Sequence, residues 1–500
     1  MIDNLILGAQ VALSTQTFLF CLLGVSVGMF IGVLPGIGPM AAISMLLPLT
    51  YYVSPTDAIV MLAGIYYGAQ YGGSVASILL RMPGTASSAV VCLDGYEMTR
   101  NGRAGVALFI SAVASFIGGS IGILIMTGFA PQISQIALRF GSPEFFMLMA
   151  LGLIAAATLS EGSAIRSLAM VVVGIVIGIV GLDLTSGTMR FTYGQMELMD
   201  GVSLVASAMG LFGLSEVLSN IGRKENRIAT AKVSFRSMIP TRTEFRDAFP
   251  AILRGSAIGS FFGALPGTGS TIASFFSYAV ENKSARNRKN MGKGAVEGVA
   301  GPEAANNSAA QTAFIPTLTL GVPGDAVMAL LLGAMIVHGV APGPRMITTE
   351  PEMFWGLVMS FWLGNFILLI FNIPLIGLWV SMLRIPYRLL YPMIIVLILI
   401  GTYSIRNSVF DVYQLLAFGV VGWVMRLLAL PAPPLVLGLV LGPMVEENFR
   451  RSLSLSDGSF AIFVERPISL TLLLLIIGVV LLQSGMALIQ ARQALKRDRS

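Results

Sequence analysis

A chain of 500 residues that is 55% hydrophobic and only 11% charged is not a soluble globular protein, in which about a quarter of residues are charged. Its mean hydropathy is +0.82 and its apolar runs are long and repeated, the pattern of an all-α polytopic membrane protein. The net charge of +6 does not point to nucleic acid, because the Lys and Arg sit in short loops between apolar segments, as orientation signals do.

No soluble domain is expected, since the longest polar stretch, roughly 222–247, is too short to bury a core. Cys21 and Cys92 sit in or beside apolar runs and read as buried small hydrophobes, not a disulfide. The start Met1-Ile-Asp-Asn-Leu lacks a basic n-region, so no cleaved signal peptide is expected.

No Lys or Arg precedes Arg81, so the first apolar block lacks an inside signal at either end. Within it, a segment over 16–33 runs into Leu34-Pro-Gly-Ile-Gly38, and 39–53 leads away. A span over 57–80 meets Arg81, Arg100 and Arg103, an inside loop by the positive-inside rule. Spans over 104–130, 144–159, 167–182 and 201–220 then bring the chain to the strongest inside signal in the sequence, which runs from Arg223 to Arg246. Five crossings from an outside start agree in parity with that placement.

The next apolar segment, 250–282, has basic loops on both flanks and is about 33 residues long, where two full spans need roughly 40. The economical solution is a re-entrant hairpin that turns at Leu265-Pro-Gly-Thr-Gly269. Pro lacks an N–H and Gly tolerates positive φ, so this tip can unwind. Beyond it, 301–340 runs outward, 353–383 inward, 389–403 outward and 409–423 inward to Arg426. Whether 433–445 crosses is open, and 467–489 returns to a basic tail placed inside.

The turn Gly263-Ala-Leu-Pro-Gly-Thr-Gly-Ser270 has a near copy at Gly32-Val-Leu-Pro-Gly-Ile-Gly-Pro39, 231 positions earlier. Gln70 through Pro83-Gly84-Thr85 likewise parallels Gln311 through Pro323-Gly324-Asp325. The expected architecture is two inverted-topology repeats, each with a re-entrant hairpin and about five transmembrane helices. The first repeat covers 1–220 with its tip at 34–38, and a cytoplasmic basic linker covers 221–249. The second repeat covers 250–489 with its tip at 265–269, and a cytoplasmic tail covers 490–500. Whether the Pro-Gly pairs break a spanning helix or tip a further hairpin is open. Paired, Gly/Pro-interrupted segments in two halves point to a secondary transporter with its site at the repeat interface.

Polar residues beside such breaks are the candidate ligands. For an anionic substrate these are Gly36, Gly84, Thr85, Ser87, Asn306, Asn307, Ser308 and Gly324, where exposed helix N-termini favour negative charge. For a coupling cation they are Gly267, Thr268, Gly269, Ser270, Asn307, Thr319 and Asp325, because hard cations prefer carbonyl, hydroxyl and carboxylate oxygens. The competing role for the Asn, Ser and Thr is to join helices by hydrogen bonds. Arg81 is expected to be an inside-flank anchor and His338 an interfacial residue. One histidine cannot build a His-rich metal site, and neither H-E-x-x-H nor G-x-S-x-G occurs, so no enzyme is expected. No cofactor is expected beyond Na⁺ or H⁺ as the coupling ion.

Several motifs resemble one family. Tyr66-Tyr-Gly-Ala-Gln-Tyr-Gly-Gly-Ser74, Leu93-Asp-Gly-Tyr96 with Gly102-Arg-Ala-Gly105, Gly294-Ala-Val-Glu-Gly298, Pro302-Glu-Ala-Ala-Asn-Asn307 and Ile315-Pro-Thr-Leu-Thr-Leu-Gly321 look like the large membrane subunit of tripartite tricarboxylate transporters. The resemblance covers nearly the whole chain. It implies a bacterial inner-membrane permease that imports a carboxylate on a Na⁺ or H⁺ gradient. Its partners would be a periplasmic solute-binding protein and a small four-helix membrane subunit. Arg81 and Asp325 are charges where the family pattern has neutral or small residues, so the implied substrate is not restricted to citrate. A membrane scaffold or assembly subunit is the alternative.

Overall fold

The computed structural model describes residues 1–34, 38–159, 163–183, 186–220, 235–383 and 387–497. Gly36 and most of the first expected tip, 34–38, lie outside the described residues, as do 221–234 of the linker and 498–500 of the tail.

The described chain is helical almost throughout. The helices are Ile2–Ala12 (α1), Thr15–Val33 (α2), Pro39–Thr50 (α3), Pro55–Leu80 (α4), Cys92–Arg100 (α5), Ala104–Ala137 (α6), Ser142–Leu159 (α7), Ala164–Gly178 (α8), Leu204–Ala208 (α9) and Ser215–Asn220 (α10). They continue as Arg242–Gly263 (α11), Gly269–Ser284 (α12), Glu297–Thr312 (α13), Phe314–Leu320 (α14), Ala326–Val337 (α15), Met346–Thr349 (α16), Pro351–Asn372 (α17), Ile376–Met382 (α18), Tyr387–Arg406 (α19), Val409–Leu427 (α20), Ala432–Leu455 (α21), Ile462–Glu465 (α22) and Pro467–Arg497 (α23). Among the described residues, α2, α6, α17 and α20 are long and apolar enough to cross a membrane. The segment 433–445, whose crossing the sequence leaves open, lies within the 24-residue helix α21.

Two compact units emerge, and each draws on both halves of the sequence. The larger comprises Met1–Gln135 and Ser203–Leu427, and the smaller Ile136–Val202 and Leu428–Ser500. In the larger unit, glycines set the packing. On α2, Gly24, Gly28 and Gly32 lie against the carbonyl oxygens of Met61, Ile65 and Ala69 on α4. On α11, Gly255, Gly259 and Gly263 lie in the same way against Gly301, Ala305 and Ala309 on α13. A repeat of four keeps all three glycines on one helix face, and their lack of a Cβ lets backbone meet backbone. The two glycine triads are 231 positions apart, the same offset as the Pro-Gly turns.

α11 and α12 form a helical hairpin whose turn falls at Ala264–Thr268, where the sequence predicts it. Gly267 and Gly269 have φ of 81° and 65°, a region costly for residues with a Cβ. At the open end of the hairpin, Arg254 Nε and Nη2 donate to Glu281 at 2.9 and 2.6 Å. Thr241 and Glu244 close a capping box at the start of α11.

The smaller unit repeats the glycine device. Gly174 and Gly178 of α8 lie against the carbonyls of Leu435 and Leu439 on α21, and Gly438 lies against that of Val171. Ion pairs tie Asp183 and Arg190 to α21. Arg190 pairs with Glu446 at 2.6 Å, and Arg450 with Asp183 at 3.1 Å and Glu446 at 2.8 Å. Glu144, buried, accepts from Arg466 Nε at 2.6 Å.

Candidate functional site

The face of α4 that bears Tyr66, Gln70 and Ser74 organises the larger unit's polar core. A spacing of four places the three on one side of the helix, and all are buried. Tyr66 Oη donates to Asp325 Oδ2 at 3.1 Å. Gln70 Nε2 donates to Ser270 Oγ at 3.4 Å, while its Oε1 accepts from Ser87 Oγ at 2.8 Å. Ser74 reaches Glu303 at 2.5 Å. One helix face thus touches the hairpin tip, the turn after α4, the turn before α15, and α13.

The two Pro-Gly pairs follow helix ends of the same kind. α4 stops because Arg81 adopts a left-handed conformation, φ 58°, and α14 stops at Gly321, φ 68°. Four residues on, Thr85 Oγ1 accepts the N–H of Ser88 at 3.3 Å, and Asp325 Oδ1 accepts that of Met328 at 2.8 Å. Both are side-chain bonds to the N–H three residues on, a turn at Thr85 and a helix cap at Asp325, and their positions differ by 240, as do Arg81 and Gly321. Asp325 is therefore the N-cap of α15 and, through Tyr66, a link to α4. Asp325→Ala is expected to lower unfolding stability by about 1–2 kcal/mol, the usual value of such a cap, with Asp325→Asn recovering most of it. Thermal denaturation of the detergent-solubilised protein checks this.

Of the sequence-predicted ligands, Thr85, Ser87, Ser270, Gly269 and Asp325 come together. Thr85 Oγ1 and Ser87 Oγ are 3.0 Å apart, and a Cβ on Gly269 would sit 3.0 Å from that of Asp325. Gly84 packs on the carbonyl of Gly32, and Gly324 on Ala313, so both act as close-approach points. Several others turn to helix carbonyls. Asn307 donates to Glu303 O, Thr319 to Ile315 O, and Thr268 to Phe262 O and Leu265 O across the tip that Gly267 opens. Ser308 bonds Ser260 Oγ and the Ser256 carbonyl on α11. Of these, the Ser308 bonds join two helices, while those of Asn307 and Thr319 close on their own helix.

Asn306 behaves differently. It is 1% exposed, yet neither its amide nitrogen nor its amide oxygen has a partner. Gln311 Oε1 and Tyr67 Oη are also buried without partners. Most buried polar groups are hydrogen-bonded, so these atoms mark polar capacity held in reserve inside the larger unit. Arg81 places its guanidinium carbon 5.8 Å from the Tyr96 ring centre, and His338 Nε2 meets Thr50 Oγ1 at 2.9 Å. Both cysteines are free and buried. No cluster of metal-ligating side chains occurs among the described residues.

Sequence reasoning missed Tyr66, Gln70 and Ser74 as site residues, although their i, i+4, i+8 spacing in an apolar helix was a usable signal. It also missed Asp94. This carboxylate, 0% exposed, accepts the N–H groups of Gly292, Gly294 and Ala295 at 2.8–3.0 Å and Tyr278 Oη at 2.9 Å. It fixes the loop that leads into α13 to α5 and α12.

Fold and site together define a multi-pass helical membrane protein built on broken, closely packed helices. Residues 18–437 match the family model described as the tripartite tricarboxylate transporter TctA family, and the chain belongs to that family. It is a family of transporter subunits, not of enzymes, and it implies a periplasmic binding protein and a small membrane subunit alongside the large one. The chain is 47% identical over 473 residues to an uncharacterized 52.8 kDa protein in the TAR-I ttuC′ 3′ region of Agrobacterium vitis, covering 95% of this chain and 94% of that protein. It is also 53% identical over 215 residues, 43% of this chain, to an uncharacterized protein in the TAR-II ttuC′ 3′ region of the same organism, 89% of which is covered. No solved structure matches.

Proposed function

We propose that this protein is the permease subunit of a binding-protein-dependent secondary transporter that imports a di- or tricarboxylate or a related small organic anion. A Na⁺ or H⁺ gradient would drive uptake by alternating access at the interface of two inverted repeats in the bacterial inner membrane. The observation that carries this reading is the convergence on α4 of the hairpin tip, the turns at Thr85 and Asp325, and α13, which also bears the unpartnered Asn306. The shared offset of 231 between the glycine triads and between the Pro-Gly turns supports the repeat.

Helix lengths support a re-entrant second hairpin. The apolar part of α11, Ala248–Gly263, rises about 24 Å at 1.5 Å per residue, short of a hydrocarbon core of about 30 Å. The first hairpin reaches deeper, since α2 is itself long enough to cross. Cysteines at Thr243 and Asn282, both exposed, in a chain with Cys21 and Cys92 replaced by Ala, are expected to label from the cytoplasmic side alone. Labelling from opposite sides would rule the re-entrant hairpin out.

The transport reading is tested with the purified permease, its small membrane subunit and its periplasmic partner in proteoliposomes, supplied with labelled di- and tricarboxylates. Uptake is expected to depend on an imposed Na⁺ or pH gradient. Asn306→Ala is expected to lower it at least tenfold without lowering thermal stability, because the amide it removes satisfies nothing in the fold. A second reading, a scaffold subunit, draws on the polar groups that only join helices, such as Ser308. It predicts the reverse: lower stability in Ser308→Ala, and unchanged uptake per folded molecule in Asn306→Ala.

A further inference from the structure

Glu303 lies on α13 and is 0% exposed. Its Oε1 is 2.5 Å from Ser74 Oγ of α4, and its Oε2 accepts from Ser115 Oγ of α6 at 3.0 Å. The helices packed on α13 bring it no cation. On α11, Arg254 is committed to Glu281 of α12. On α5, Arg100 pairs with Glu97, and Asp94 is enclosed by backbone N–H groups. On α4, Tyr71 donates its proton to Asn365 at 2.7 Å. α6 and α14 carry no charged residue. On α13 itself, Glu297 lies nearly two turns away and accepts the N–H of Asn287. Glu303 is in no ion pair among the described residues.

An ionised carboxylate buried without a counter-charge is too costly to keep, so it takes up a proton or a cation. The hydrogen count favours the proton. Ser74 Oγ has one hydrogen and two oxygens in reach, Glu303 Oε1 and the Gln70 carbonyl at 3.2 Å. If Glu303 is the acid, Oε1–H donates to Ser74 Oγ, Ser74 donates to the Gln70 carbonyl, and the α6 hydroxyls Ser115 and Ser111 donate to the carboxyl oxygens. Every oxygen then has a role and no charge is left over. Asn306, three residues along the same helix and unpartnered, offers a place for the anion close to that proton.

We propose that Glu303 is a proton-binding site, occupied at neutral pH, in the polar core of the permease. This rests on the transport reading above, but its test does not require a substrate. The full-length protein in lipid nanodiscs is compared with Glu303→Gln by infrared difference spectroscopy at neutral pH. The expected result is a carboxylic-acid carbonyl band in the wild type that Glu303→Gln lacks, shifted in frequency by Ser74→Ala. Loss of carboxylate bands instead would show Glu303 ionised and overturn the proposal. Thermal unfolding in sodium chloride against choline chloride forms the second arm. A sodium-dependent stabilisation of the wild type that disappears in Glu303→Gln would place Na⁺ there and overturn the assignment equally. Equal behaviour in both salts supports the proton. Failure of carboxylate uptake would leave the infrared band in place, so the two readings fail separately.

Discussion

Gly259→Ala is expected to destabilise the protein even though alanine is the better helix former by about 1 kcal/mol. The Cβ would be driven into the carbonyl oxygen of Ala305, a backbone atom that cannot rotate away. Relief requires α11 and α13 to separate along the whole triad, which also loosens Gly255 and Gly263. The net cost is expected to be about 3 kcal/mol or more, at the upper end for overpacking. Gly28→Ala is expected to do the same between α2 and α4, where the obstacle is the Ile65 carbonyl. Gly128 in α6 has no heavy atom within 4 Å of a built Cβ, and Gly128→Ala is expected to raise stability slightly. Thermal midpoints of the three variants in detergent decide the matter. Equal shifts at Gly259 and Gly128 would show that backbone contact does not set the packing.

Asp94→Ala is the second large loss. It removes the acceptor of three backbone N–H groups and one phenol at a site closed to solvent. Each buried donor left unsatisfied costs about 1–3 kcal/mol, so a total of at least about 4 kcal/mol is expected. Asp94→Asn keeps one carbonyl oxygen but turns an NH₂ toward donors, and is expected to fall between the wild type and Asp94→Ala. Gly298→Ala should mimic part of the effect, since its Cβ would strike the Asp94 carboxylate. The yield of monodisperse protein and its thermal midpoint report these losses. A wild-type midpoint in Asp94→Ala would mean that the loop before α13 is held by other contacts.

Hydropathy and punctuation made much of this fold legible in advance. The turn at 265–269 could be read because Pro and Gly interrupt an apolar run between two basic loops, and both helical arms fall where they were expected. The smaller unit was not legible. Nothing in the apolar character of 164–178 says that it packs on 432–455, because any lipid-facing helix satisfies the same pattern. That choice lies in the register of Gly174, Gly178 and Gly438, which hydropathy averages away. At the site, polar residues near the breaks were found because they are rare there. Sequence alone could not separate Asn306, whose amide is free, from Asn307 beside it, whose amide is spent on a helix carbonyl. Their side chains point about 100° apart around α13, and only the neighbouring helices give that difference meaning. Asp94 was overlooked because it sits among charged, loop-like residues, where a carboxylate is unremarkable until three N–H groups are seen to close on it.

Gln70 uses both ends of one planar group. Its nitrogen gives to Ser270 at the hairpin tip, and its oxygen takes from Ser87 beyond the end of its own helix. Both partners are hydroxyls, which can give or take a hydrogen bond, so the amide bridges the tip and the turn in either orientation. Any displacement that parts the tip from the turn must abandon one bond, and the stranded end costs about 1–3 kcal/mol while it stays dry. One side chain therefore couples the position of the tip to that of the turn beyond α4.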